Sequence, residues 1–161
     1  MSPKNRKPLS SSMEDYLEAI AKLKKEKRVA RVRDIGRLLN VSNPSVNSAL
    51  NVLSDLGLVV HERYGYVDLT IKGEELAGNV QKRHDILVRF LTTVLNIDPR
   101  TAEGDACRME HSISNDTFEM LTKFMEFIET CPEKRRPEWL KNFDLYVKTG
   151  KRQKCAGGVR R

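Results

Sequence analysis

Residues 42–57 constrain the fold more than any other stretch of the chain. Ser42 offers a hydroxyl at a helix N-cap, and Pro44 stands in the first turn, where its missing N–H costs nothing. Gly57 follows the last apolar position as a stop. Between them Val46, Ala49, Leu50 and Leu53 recur at helical steps, which commits one face to a core. The opposite face carries Ser45, Asn47, Ser48 and Asn51, all short, polar and uncharged. A helix that merely covers solvent usually carries Glu and Lys there. Small hydroxyls and amides instead suit a recognition helix, because they reach base edges without filling the major groove.

The flanking segments fit that role. Met13, Tyr16, Leu17, Ile20 and Leu23 predict a first helix capped by Ser12 and running to about Lys27. Val29 to Val32 is a short β-branched stretch, and Ile35, Leu38 and Leu39 mark a compact second helix that ends near Asn40. After Gly57, the runs Val59–Tyr64 and Tyr66–Leu69 turn at Gly65 as a hairpin. Two helices, a recognition helix and a hairpin form a winged helix-turn-helix, with His61, Arg63 and Tyr64 on the wing. Ser42, Pro44, Ser45, Asn47 and Ser48 are the candidates for groove contact, and Arg31, Arg33 and Arg63 for phosphates. The basic stretch 1–9, with Pro3 and Pro8, reads as a flexible arm.

Beyond the wing the chain is helical. Leu76, Val80, His84, Leu87, Leu91 and Leu95 form one stripe of a long helix from Ile71 to about Leu95. Asp98-Pro99 opens another helix through about His111, and Ser114 or Asn115 caps one through Thr130 that Pro132 stops. The stripe Phe118, Leu121, Phe124, Met125 and Ile128 exceeds what a small domain buries alone, which predicts a helical dimer interface, with intramolecular core as the alternative. The expected fold class is therefore mainly α: a winged helix-turn-helix with a small β-hairpin wing over 1–73, then an all-helical domain over 74–130. A short helix around Trp139 to Tyr146 and a disordered basic end make up 131–161.

Charge supports a polyanionic partner. The net charge is +7, and its distribution is uneven. Lys and Arg outnumber Asp and Glu 13 to 8 over residues 1–73, fall to 6 against 11 over 74–130, and recover to 10 against 3 over 131–161. No apolar run approaches the ~20 residues that cross a bilayer, and the polar start resembles no signal peptide, so a cytoplasmic protein without a membrane partner is expected. Three widely spaced cysteines, Cys107, Cys131 and Cys155, argue against a disulfide framework and against a CxxC zinc pair.

Donor groups concentrate in three places. Asp15 and Glu18 project from one side of the first helix. Cys107, Glu110 and His111 share one face of a later helix, and His84 is the only other histidine in a helical segment. A thiolate, two imidazoles and several carboxylates are a donor set suited to a divalent transition ion. Nothing resembles a substrate-binding loop or a nucleophile with its base, so neither an enzyme nor a small-molecule substrate is expected. A DNA-binding redox or iron–sulfur sensor built on Cys107, Cys131 and Cys155 is the alternative.

Ser12-Met13-Glu14-Asp15-Tyr16-Leu17-Glu18, the polar helix with Pro44, Lys82-Arg83-His84 and Cys107-Arg108-Met109-Glu110-His111 resemble, in order and spacing, the diphtheria toxin repressor and manganese transport regulator family. The resemblance covers about residues 9–130. It implies a homodimeric repressor of metal-homeostasis genes that binds double-stranded operator DNA when loaded with iron(II) or manganese(II), for which zinc, cobalt or nickel can substitute. It further implies that Asp15, Glu18, His84, Cys107, Glu110 and His111 hold the ion, joining the first helix to the dimerisation domain. Asp15 and Glu18 look like the manganese branch, whereas the position of Cys107 is a cysteine in the iron-responsive branch and a carboxylate in the manganese branch. Val88 stands where the iron branch carries an acidic ligand of an ancillary site.

Overall fold

A computed structural model describes residues 9–61, 65–130 and 136–152. The chain divides into two compact units, residues 1–84 and 85–161. The sequence predicts a boundary at 73/74, ahead of a long helix. The division falls inside that helix because its first half packs Leu76 and Ala77 on one core while Leu87 belongs to another.

In the first unit, α1 (Ser11–Lys27) is followed by β1 (Ala30–Arg31), α2 (Val32–Leu39), α3 (Asn43–Asp55), β2 (Val59–His61) and β3 (Tyr66–Leu69). The strands pair antiparallel in the order β1-β3-β2, with Ala30 opposite Val67 and Arg31 opposite Tyr66. The short stretch before α2 thus becomes the third strand of the wing sheet. α1 begins one residue before the predicted cap: Ser10, not Ser12, holds the N-cap position. Leu9 and Met13 both pack on the core, and the Met13 and Glu14 N–H groups donate to the Ser10 carbonyl at 2.9 and 3.1 Å. Leu17, Ile20, Ile35, Val46, Leu50 and Leu53 are fully buried in that core. Each side chain of this kind contributes roughly 1.5–3 kcal/mol by leaving water.

Local chemistry fixes the turn between α2 and α3. Asn40 takes a left-handed conformation, φ 55°, which asparagine tolerates better than other side chains. The Val41 N–H donates to the Gly36 carbonyl at 2.9 Å. A Cβ on Gly36 would lie 2.9 Å from the Val41 carbonyl oxygen, so this close approach needs glycine. Across the sheet, Lys24 on α1 pairs with Asp68 on β3 and with Glu74 at 3.3 Å. The hydrogen bond to Asp68 leads in raising the lysine pKa above its ordinary value.

α4 (Ile71–Arg89) runs from the first unit into the second and does not stay α-helical to Leu95 as the stripe predicts. Residues Phe90–Val94 form a π-helical turn, closed by the Leu95 N–H donating to the Phe90 carbonyl. The wider turn re-aims successive side chains, and here they serve two cores. Leu91 packs with Leu87, Ala102 and Ala106, while Val94 packs with Met125, Ile128 and Leu140. Phe90 touches both clusters.

α5 (Pro99–Met109), α6 (Asn115–Glu129) and α7 (Glu138–Thr149) complete the second unit. Asp98 caps α5 and Ser114 caps α6, each accepting from the backbone N–H three residues on. Ala102 and Ala106, one turn apart, allow close approach to α5. The α6 stripe expected at a dimer interface is largely spent within the unit: Met125 and Ile128 are buried, and Leu121 and Phe124 pack against the two clusters. The large α6 side chains that face outward are Met120 and Phe127, 63% and 70% exposed. No helix among the described residues is long and apolar enough to cross a membrane.

α7 is longer than the predicted Trp139–Tyr146, and it is tied down by a polar clasp. Arg136 donates to both carboxylate oxygens of Asp144, at 2.6 and 2.7 Å, and to the Thr93 and Val94 carbonyls at the end of the π-turn. Asn96 adds a bond to Asp144 at 2.6 Å. The hydrogen bonds from Arg136 lead in holding the Asp144 carboxyl below its ordinary pKa. A depressed carboxyl contributes stability above its unfolded pKa and loses it as pH falls through the folded value. Asp144→Asn is therefore expected to unfold at lower denaturant than the parent at pH 7, with the gap closing below about pH 4. Fluorescence of Trp139, the only tryptophan, reports this, since its ring lies 6.3 Å from Phe124. A gap independent of pH would show that the Asp144 charge contributes nothing.

Candidate metal centre and nucleic-acid interface

The donor residues fall on three elements. Asp15 and Glu18 stand one turn apart on α1, both half-buried beside the fully packed Leu17. His84 is half-buried on α4. In the second unit α5 ends at Met109, two residues earlier than expected, because the Ser112 and Ile113 N–H groups both turn back to the Met109 carbonyl and Ile113 enters the core. Glu110 keeps helical dihedrals as the C-cap, so the spacing to Cys107 survives.

Burial separates these donors. Cys107 is exposed, whereas the Glu110 side chain is 1% exposed and His111 Nε2 lies 3.3 Å from Glu110 Oε1 with its own side chain 8% exposed. Glu110 is the one charged residue fully buried among the described residues. A carboxylate withdrawn from water in this way requires positive charge or hydrogen bonds around it. A thiol, a buried carboxylate and an imidazole at one helix end of the second unit are donors that fit a divalent transition ion.

On the DNA-reading side, Ser42, Pro44, Ser45, Asn47 and Ser48 are all exposed, opposite the buried Val46, Ala49, Leu50 and Leu53. Ser42 is engaged in its own helix: its Oγ accepts from the Ser45 N–H at 3.3 Å and lies 2.8 Å from the Ser45 hydroxyl. Among the described residues Asn47 and Ser48 have no such engagement, and they offer the freest groups to a base edge. Arg31 and Arg33 are exposed at the start of α2. Arg63 and Tyr64 of the wing, and Cys131 and Cys155, lie outside the described residues. Tyr66 was not among the candidates, yet Arg31 Nη2 donates to its hydroxyl at 3.1 Å. The alternation along β3 carried that signal, since it puts Tyr66 and Asp68 on one side and the buried Val67 and Leu69 on the other.

A winged helix-turn-helix with an uncharged polar recognition face, carried on a chain whose second unit gathers transition-metal donors, defines a transcription regulator rather than an enzyme. Residues 8–67 match the N-terminal DNA-binding domain of the iron dependent repressors, and residues 70–138 match the metal-binding and dimerisation domain of the same family. The chain belongs to this family, that of the diphtheria toxin repressor and the manganese transport regulator, and is a metal-dependent transcriptional regulator. It is 36% identical over 119 residues to an uncharacterised helix-turn-helix-type regulator of Methanocaldococcus jannaschii, covering 73% of this chain and 95% of that one. With the transcriptional regulator MntR of Escherichia coli it shares 37% over 114 residues, 71% of this chain and 73% of MntR. The solved manganese regulator SloR superposes with a TM-score of 0.64 at 29% identity, over 74% of this chain and 56% of SloR. The chain thus spans a little over half the length of that solved regulator. The family match gives no support to the redox or iron–sulfur sensor.

Proposed function

We propose that the chain represses metal-homeostasis genes in the cytoplasm by binding operator DNA as a homodimer when loaded with iron(II) or manganese(II). The observation that carries this reading is the end of α5, where Glu110 is buried beside His111 and one turn from Cys107, within the segment that matches a metal-binding and dimerisation domain. Asp15, Glu18, His84, Cys107, Glu110 and His111 are the proposed ligands. SloR is named for manganese; the thiol of Cys107 leans the other way, towards softer ions such as iron(II).

A bound divalent ion supplies positive charge and coordinate bonds among these donors. Asp15, Glu18 and Glu110 carry like charges that oppose one another until compensated. Compensation fixes α1, and with it the DNA-reading unit, against the dimerisation domain. The two recognition helices then meet successive major grooves, about one helical turn apart, without an ordering cost at the moment of DNA binding. Ser42, Pro44, Ser45, Asn47 and Ser48 face the groove, while Arg31, Arg33 and Arg63 hold phosphates. Linkage is reciprocal: whatever factor the ion adds to operator affinity, operator adds to ion affinity.

Cys107→Glu tests the ligand set. Competition between iron(II) and manganese(II) under anaerobic conditions is expected to shift towards manganese by at least the ~10-fold that even outer-shell changes produce. An unchanged ratio would show that the thiolate does not set the preference.

A further inference from the structure

The outward side of β3 holds two cations, and it treats them differently. Asp68 takes Lys24, which Glu74 also contacts, so two carboxylates neutralise that ammonium within the fold. Tyr66, two residues away on the same side, takes Arg31 from the paired position of β1. The Arg31 guanidinium carbon lies 5.1 Å from the centre of the Tyr66 ring, and Nη2 donates to the phenol oxygen at 3.1 Å. Among the described residues Arg31 has no carboxylate partner. Among the described residues, then, its charge is held in place without being cancelled.

We propose that Tyr66 is the positioning residue of a phosphate clamp, holding the Arg31 guanidinium in place for the DNA backbone. The proposal rests on the reading of Arg31 as a phosphate contact and adds what makes that contact effective. A free arginine loses side-chain entropy when it settles on a phosphate. Stacking on a neutral ring and bonding to its hydroxyl restrict the side chain before DNA arrives. The remaining guanidinium N–H groups stay available, because the phenol uses one. A carboxylate at position 66 would restrict the side chain equally well but would cancel the attraction to DNA. The strand pairing Arg31↔Tyr66 also means that the wing sheet, not α2, sets where this cation stands.

The test is a double-mutant cycle on the full-length, manganese(II)-loaded protein with a random-sequence duplex over a salt series. Arg31→Ala is expected to weaken binding and to lower the slope of log affinity against log salt by about 0.9, the value for one phosphate. Tyr66→Thr, which suits a strand, is expected to weaken binding about two- to five-fold, the size of an exposed cation–ring contact. Tyr66→Phe, which keeps the ring and loses the hydroxyl, should fall between. In the Arg31→Ala background the Tyr66 variants should change nothing further. Equal losses in both backgrounds would mean that Tyr66 touches DNA itself or merely supports the sheet, and would overturn the proposal. So would parental affinity in Tyr66→Thr. If Arg31→Ala leaves affinity and salt slope unchanged, the phosphate role of Arg31 falls, and the clamp with it.

Discussion

A His111→Ala variant is expected to fold and dimerise as the parent does while losing the metal response of operator binding. His111 sits just past the end of α5 and belongs to neither apolar cluster of the second unit. The apolar clusters around Leu87 and Leu91 and around Val94 and Met125 are built from other side chains. What is lost is an imidazole 3.3 Å from the buried Glu110 carboxylate and one donor of the proposed ligand set. Coupling between an effector and a ligand ordinarily amounts to 1–3 kcal/mol, about 5–150-fold. In the variant that factor should collapse to about one, because a ligand set missing a central donor no longer distinguishes the DNA-competent state. Fluorescence anisotropy with and without manganese(II), beside size-exclusion chromatography for the dimer, checks both halves. A folded dimer with the parental metal response would remove His111 from the site.

Asn47→Ala is the second large effect, and it should appear on the operator alone. Asn47 is exposed on α3 between the buried Val46 and Ala49 and uncommitted among the described residues. An amide that pairs with a base edge through two bonds discriminates by about 1–3 kcal/mol, so operator affinity should fall roughly 5–150-fold. Affinity for a random-sequence duplex should barely change. Arg33→Ala is the contrasting case: it should weaken both duplexes alike and make the salt dependence shallower. Equal loss on both duplexes for Asn47→Ala would contradict a base-reading role for this face of α3.

The parts of the fold that were legible in the sequence are those fixed by near neighbours. Ser42, Pro44 and Gly57 delimit α3 through cap, first turn and stop chemistry, each acting within a few residues. The apolar steps of α1 and α3 likewise announce which faces are buried. The sequence puts the cap of α1 two residues late, because Ser10, Ser11 and Ser12 offer the same hydroxyl while the actual cap at Ser10 works through its carbonyl, with no side-chain cap bond. The π-turn at Phe90–Val94 answers to two clusters whose other members lie on α5, α6 and α7, so no local pattern announces it.

The α6 stripe shows the same limit from the other side. Periodicity identified Leu121, Phe124, Met125 and Ile128 as a face needing cover. The cover comes from the π-turn and from Leu140 on α7, remote in sequence. The donor residues were visible because carboxylates, thiol and imidazoles at helical spacing share a face. Their unequal burial was not, since it depends on where α5 stops and on Ile113 being drawn into the core. Arg136 and Asp144, joined to a π-turn some forty residues away, carried no sequence signal at all.

The most direct test of the account is operator binding with and without metal. The probe is a labelled promoter fragment from upstream of the chain's own gene, titrated anaerobically in chelator and then in iron(II) or manganese(II). The account predicts weak, salt-sensitive binding in chelator and binding about 5–150-fold tighter once an ion is supplied. Equal affinity in chelator and in metal would contradict it and would reassign Asp15, Glu18, His84, Cys107, Glu110 and His111 to holding the fold together.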